Sequence, residues 1–130
     1  MKLKLNEKQI KTLLKYYYKE YENIDCDINI EAKIDYVGIY EERACVVVIT
    51  QTRKIFVAGE ETLLELELTK QDVKDKLQAV LQEQKLEICN LLYESDIIYG
   101  DRQGDIDTPY FNGIILEVKT MEKERQLVRW

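Results

Sequence analysis

A strand–helix–strand template that occurs twice, at a constant spacing of 63 residues, constrains this chain more than any other feature. Residues 3–29 read LKLNEKQIKTLLKYYYKEYENIDCDIN, and residues 66–92 read LELTKQDVKDKLQAVLQEQKLEICNLL. Leu3, Leu5, Ile10 and Leu14 fall on Leu66, Leu68, Val73 and Leu77. Tyr17 and Tyr18 fall on Val80 and Leu81, and Cys26 and Ile28 on Cys89 and Leu91. A unit that recurs with its apolar positions in phase reads as an internal pseudo-repeat. The plain alternative is two ordinary strand–helix units that agree by chance.

Both helices carry start signals. Asn6 with Gln9, and Thr69 with Asp72, are capping-box pairs, and Leu5/Ile10 and Leu68/Val73 have hydrophobic-staple spacing. In the first helix Ile10, Leu13, Leu14, Tyr17, Tyr18 and Tyr21 share one face, with Lys8, Lys11, Lys15 and Lys19 opposite. That lysine stripe has a functional reading, contact with phosphate, and a plain one, a solvated helix face. The second helix buries Val73, Leu77, Val80 and Leu81 and is expected to end near Gln84. Leu86–Tyr93 then reads better as a strand than as more helix.

The remaining segments alternate. Cys26, Ile28, Ile30, Ala32, Ile34 and Tyr36 point one way from Asp25 to Tyr36, as in a half-buried strand. Gly38 is expected to mark a bulge or bend, and Glu41-Glu42-Arg43 a turn. A long strand over Ala44–Val57 follows, whose first half, ACVVVI, is apolar on both faces and so is expected to be central and covered on both sides. Thr62–Leu68 alternates with Leu64, Leu66 and Leu68 inward. Ser95–Pro109 reads as loop and Phe111–Thr120 as the last strand. The tail, MEKERQLVRW, has the length of one or two helical turns. Short connections favour an α+β fold: one antiparallel sheet of about five to six strands with two helices on one face. A single domain over 1–130 is expected, with repeat units at about 3–57 and 66–120.

Composition narrows the function. The longest apolar run, Ala44–Ile49, is far short of the roughly 20 residues that cross a bilayer. With no apolar N-terminal targeting segment, a cytoplasmic protein is expected. Cys26, Cys45 and Cys89 are odd in number and widely spaced, which reads as buried free thiols rather than disulfides or a metal site. The net charge of −6 resides mostly in residues 25–69, which hold ten acids against four bases. Such a chain is a poor direct binder of nucleic acid and suits a basic protein partner.

Histidine is absent, and with it Ser/His/Asp and Cys/His machinery and His-ligated metals. No glycine-rich phosphate loop is present, and no cofactor or metal is implied. One enzymatic pattern remains: Ile114–Lys119 is an apolar strand ending in Glu117-x-Lys119, with Asp105 and Asp107 upstream. It resembles the D…(E/D)xK pattern of a large nuclease superfamily, in which the acids hold Mg²⁺ and the Lys steadies water or phosphate. It departs from that pattern because only ten residues follow Thr120. The plain reading is an amphipathic strand with Leu116 and Val118 inward. A calcium loop through Asp101, Asp105 and Asp107 lacks the EF-hand register.

The other candidate is an acidic sheet face. With helices over the Ile28/Ile30/Ile34 side, Asp25, Asp27, Glu31 and Asp35 share the open face with Glu65 and Glu67. Asp101, Asp105 and Asp107 form a second patch. Such a face can occupy a basic nucleic-acid channel; its plain role is solubility and protection from edge pairing. The segments LNEKQIKTLLKYYY, VGIYEE and TPYFNGIILEVK resemble small uncharacterised proteins of phages and conjugative elements of Gram-positive bacteria. That resemblance implies a non-enzymatic inhibitor of anti-CRISPR type, binding a CRISPR effector nuclease. The competing expectations are the Mg²⁺ nuclease and a homodimeric structural module built on Ala44–Ile49.

Overall fold

The computed structural model describes residues 1–55, 57, 59–102 and 104–121. In chain order its elements are β1 (Lys2–Leu5), α1 (Glu7–Glu22), β2 (Asp27–Val37), β3 (Tyr40–Ile55), β4 (Gly59–Leu68), α2 (Lys70–Leu81), β5 (Leu86–Ile98) and β6 (Thr108–Thr120). The fold is α+β. A 3-10 turn, Gln82–Gln84, closes α2 where the helix was expected to end. Residues 122–130, most of the tail for which helical turns were considered, lie outside the described residues.

The helices start where their capping chemistry places them. Asn6 accepts a hydrogen bond from the Gln9 backbone N–H while the Gln9 side chain accepts from Asn6 N–H. Thr69 and Asp72 repeat this reciprocal pair. Each box satisfies two of the donors that a helix N-terminus leaves free.

The strands form two three-stranded antiparallel sheets, β1-β6-β5 and β2-β3-β4, rather than one continuous sheet. The physical reason lies in the repeat. Each half contributes a strand, a helix and a hairpin, and its first strand pairs with the hairpin of the other half: β1 with β6, β4 with β3. Register repeats as well. Leu3 and Leu91 flank Leu116, and Leu66 and Ile28 flank Ile49. Leu5 and Tyr93 flank Ile114, and Leu68 and Ile30 flank Val47. The two sheets are thus related element by element, with four more residues in the second hairpin.

The helices pack on each other, α1 also against β2 and β6, and α2 against β5 and β4. Their shared core holds Ile10, Leu14, Val73, Leu77, Val47, Ile49, Ile114 and Leu116, all essentially inaccessible to solvent. Fully burying one such side chain is worth about 1.5–3 kcal/mol.

Five expectations need correction. The turn after β2 is the two-residue Gly38-Ile39, with Val37 opposite Tyr40; Gly38 takes φ +65°, and Glu41–Arg43 lie inside β3. Strand β5 runs on to Ile98 and β6 begins at Thr108, because Ser95, Asp96, Ile97 and Ile98 pair with Phe111, Tyr110, Pro109 and Thr108. Leu66 faces inward by register but is 45% exposed, because β4 is an edge strand. The ACVVVI segment is central in its sheet yet covered on one side only: Val47 and Ile49 are buried, Val46 and Val48 half-buried, Ala44 exposed. The cysteines are free, but Cys26 and Cys45 are half-buried and Cys89 is exposed, since Cys89 falls at the β5 bulge.

Candidate functional site

The open face of the β2-β3-β4 sheet brings together most of the carboxylates singled out above. Antiparallel partners share a face, so register alone places them. Asp27, Thr50 and Glu65 form one row, Asn29, Val48 and Glu67 the next, and Glu31 lies opposite Val46. Toward the hairpin tip come Lys33 opposite Ala44, Asp35 opposite Glu42, and Val37 opposite Tyr40. Asp27, Glu31, Asp35, Glu42, Glu65 and Glu67 therefore share this face with Lys33. Glu42 enters the group only because the chain is extended there, which its charged neighbours Glu41 and Arg43 did not signal.

One of these acids, Asp27, and the neighbouring Asp25 are already in ion pairs. Lys15 of α1 lies 3.5 Å from Asp27 and Lys19 lies 3.3 Å from Asp25, which precedes β2. With Lys11 4.0 Å from Glu7, three of the four stripe lysines are thus spent on the protein's own carboxylates, in solvent-accessible pairs of small energetic weight. Glu31 accepts from the Asn29 side chain at 3.3 Å, and Asp35 from the Tyr36 backbone N–H at 2.9 Å. Among the described residues Glu42, Glu65 and Glu67 have neither an ion pair nor a hydrogen bond.

The second acidic patch is built differently. Asp105 accepts from Arg102 N–H at 2.9 Å, and Asp107 accepts from Gly100 N–H at 2.9 Å and from the Tyr36 hydroxyl. These two carboxylates shape their own loop, and Asp101 alone of the three points to solvent without a partner among the described residues. The Tyr36–Asp107 bond also ties the β2-β3 hairpin to the β5-β6 hairpin. Tyr99 donates to Glu41 at 2.9 Å and Arg43 to the Ser95 carbonyl at 3.0 Å across the same junction. The Arg43 and Tyr99 bonds hold the Glu41 carboxyl below its ordinary range. The Tyr36 bond does the same for Asp107. In return the Asp107 carboxylate pushes the Tyr36 phenol up to about 12. Neither tyrosine was legible as a site residue, since each looks like one more aromatic near a glycine turn.

The nuclease pattern is not brought together. Asp107 precedes the first residue of β6 and Glu117 is ten residues further along it, a separation of about 33 Å in an extended strand. Glu117 stands opposite Lys2 and Asn90, and Lys119 lies 3.5 Å from Glu87. Among the described residues no three Cys, Asp or Glu side chains are placed to hold a metal ion. A groove of about 580 Å³ runs between β3 and β5, lined by Arg43, Cys45, Lys70, Tyr93, Asp96 and Asn112 among others. Burial pushes the Cys45 thiol up, away from the thiolate that nucleophilic chemistry uses.

No family model matches the chain, and comparison with curated proteins and with solved structures gives no match. Among the described residues no helix is long and apolar enough to cross a membrane.

Proposed function

We propose that this protein is a non-enzymatic acidic binding protein that docks the open face of its β2-β3-β4 sheet onto a basic, nucleic-acid-handling partner. The observation that carries this reading is the register of Asp35 and Glu42. Two carboxylates directly opposite each other on one sheet face destabilise it, and among the described residues neither forms an ion pair. A face that keeps this cost beside Glu31, Glu65 and Glu67 is organised for something positive to arrive. Carboxylates on a rigid sheet can stand in for phosphates in a basic channel, and opposite potentials speed encounter and reject acidic competitors. The resemblance to small proteins of phages and conjugative elements makes an inhibitor of a CRISPR effector nuclease the specific form of this proposal. The nuclease reading is not carried forward, because Asp107 and Glu117 stand at opposite ends of β6.

The test is capture of partners from a host lysate with elution by a salt gradient. A nucleic-acid enzyme recovered at low salt, and lost with a Glu31→Lys/Asp35→Lys/Glu65→Lys/Glu67→Lys variant that still folds, is the expected outcome. Undiminished capture by that variant would sink the proposal.

A further inference from the structure

We infer that the open face of the β2-β3-β4 sheet receives a basic amphipathic helix of a partner protein, laid along β3. The inference rests on the docking function proposed above and adds the shape of what docks. Its basis is the apolar strip between the carboxylates. The outward side of β3 presents the apolar run Ala44, Val46 and Val48 and, beyond Glu42, Tyr40, which is 72% exposed. At the tip the strip widens to Val37 and Ile39, 55% and 92% exposed. The other face of this sheet already carries α1 and α2; on this side no described element packs.

Geometry selects a helix. Asp27, Glu31 and Asp35, with Asn29 and Lys33 between them, form one largely acidic column on β2, and Glu65 and Glu67 a second on β4. These columns flank the strip at two strand spacings, about 10 Å apart. An α-helix with its side chains is about 10–12 Å across. A helix on β3 therefore rests its apolar stripe on Val46 and Val48 while Lys or Arg on its flanks reach down to either column. From Tyr40 to Val48, across Glu42, this side of β3 is about 27 Å long, the length of roughly 18 helical residues. An added strand would pair at the edge of β2 or β4 and leave Val46 and Val48 bare. A second copy of this chain would set carboxylate columns against carboxylate columns, and a nucleic acid would be repelled by both.

The probe is an 18-residue synthetic peptide of Leu and Lys with the leucines on one helical face, compared with a permuted peptide of identical composition whose leucines are scattered. The full-length protein is expected to bind the first at least about tenfold more tightly than the second, with a gain of helical circular dichroism in the peptide. Val46→Thr/Val48→Thr, which keeps β-branched residues in the strand, is expected to remove most of that preference. Amide-shift mapping on the wild-type protein, expected to centre on Val46, Val48, Glu31 and Glu67, gives the same answer should the variant fail to fold. Equal binding of both peptides overturns the helix inference and leaves acidic docking standing. Binding mapped to another face overturns it too, and no binding of either peptide at low salt overturns both readings.

Discussion

The carbonyl oxygen of Leu5 stands 2.5 Å from where a Cβ on Gly113 would be. Gly113 is at φ +118°, in a region that side chains rarely adopt, and it sits where β1 closes onto β6. That closure is the swapped contact between the two halves, so β1 can reach β6 only across a residue without a side chain. Gly113→Ala is expected to destabilise the protein by about 2–4 kcal/mol, combining backbone strain with overpacking. Denaturant unfolding with an unchanged m-value measures it; a change under 1 kcal/mol would contradict this account of the junction.

The junction between the hairpins predicts a pH dependence at both ends of the scale. Asp107 and Glu41 are held below their ordinary values by bonds that need the ionised carboxylate. Their contribution is present above the unfolded carboxylate value and is lost as pH falls through the lower folded value. Tyr36 is shifted the other way, so its contribution is complete below about 10 and lost as pH rises toward about 12. Ultraviolet titration should therefore show two phenols ionising near pH 12, Tyr36 and the buried Tyr93, of which Tyr36→Phe removes one. Amide exchange over residues 36–42 and 99–107 should speed up severalfold in the same variant at neutral pH. Exchange rates equal to wild type would mean that this bond does not tie the hairpins together.

Much of this architecture was legible because it is locally encoded. Asn6 and Thr69 mark both helix starts through side chains that act three residues away, and the alternation from Cys26 to Tyr36 assigns each residue a face. The repeat was visible as well, through Leu3/Leu66 and Leu14/Leu77. What stayed hidden is non-local. Leu3 is equally apolar whether it packs beside its own hairpin or the other, so nothing in its neighbourhood selects Leu116. Glu94-Ser95-Asp96 looks like loop composition, and only pairing with Gly113, Phe111 and Tyr110 makes it strand. The open acidic face followed from alternation, but Glu42 was missed because its charged neighbours imitate a turn.

Glu42 separates stability from binding. Glu42→Lys replaces a like-charge pair with Asp35 by an opposite-charge pair at the same register position, a change expected to stabilise the fold by roughly 0.2–1 kcal/mol. The same substitution places a cation on the face proposed to receive a basic partner and should slow association, most at low salt. Thermal unfolding and association kinetics on one preparation give both readouts. A variant that is more stable and binds as fast as wild type would show that the partner does not use this end of the face.

The hydroxyl of Tyr18 offers a test inside the core. Tyr18 is 3% exposed, its ring packs edge-on against Tyr17 at 5.1 Å, and Lys76 lies over both rings. Its oxygen is buried with no hydrogen-bond partner among the described residues, and burial pushes its ionisation far above the ordinary phenol value. At the equivalent repeat position the other half carries Leu81, which has no polar atom to satisfy. Removing a buried, unpartnered hydroxyl while keeping the ring should therefore stabilise the protein, and Tyr18→Phe is expected to gain about 1 kcal/mol. Tyr18→Ala, which removes the ring as well, should instead cost about 3–5 kcal/mol. Urea unfolding of the two variants decides the matter: a loss of 1 kcal/mol or more in Tyr18→Phe would mean that the hydroxyl is bonded in solution.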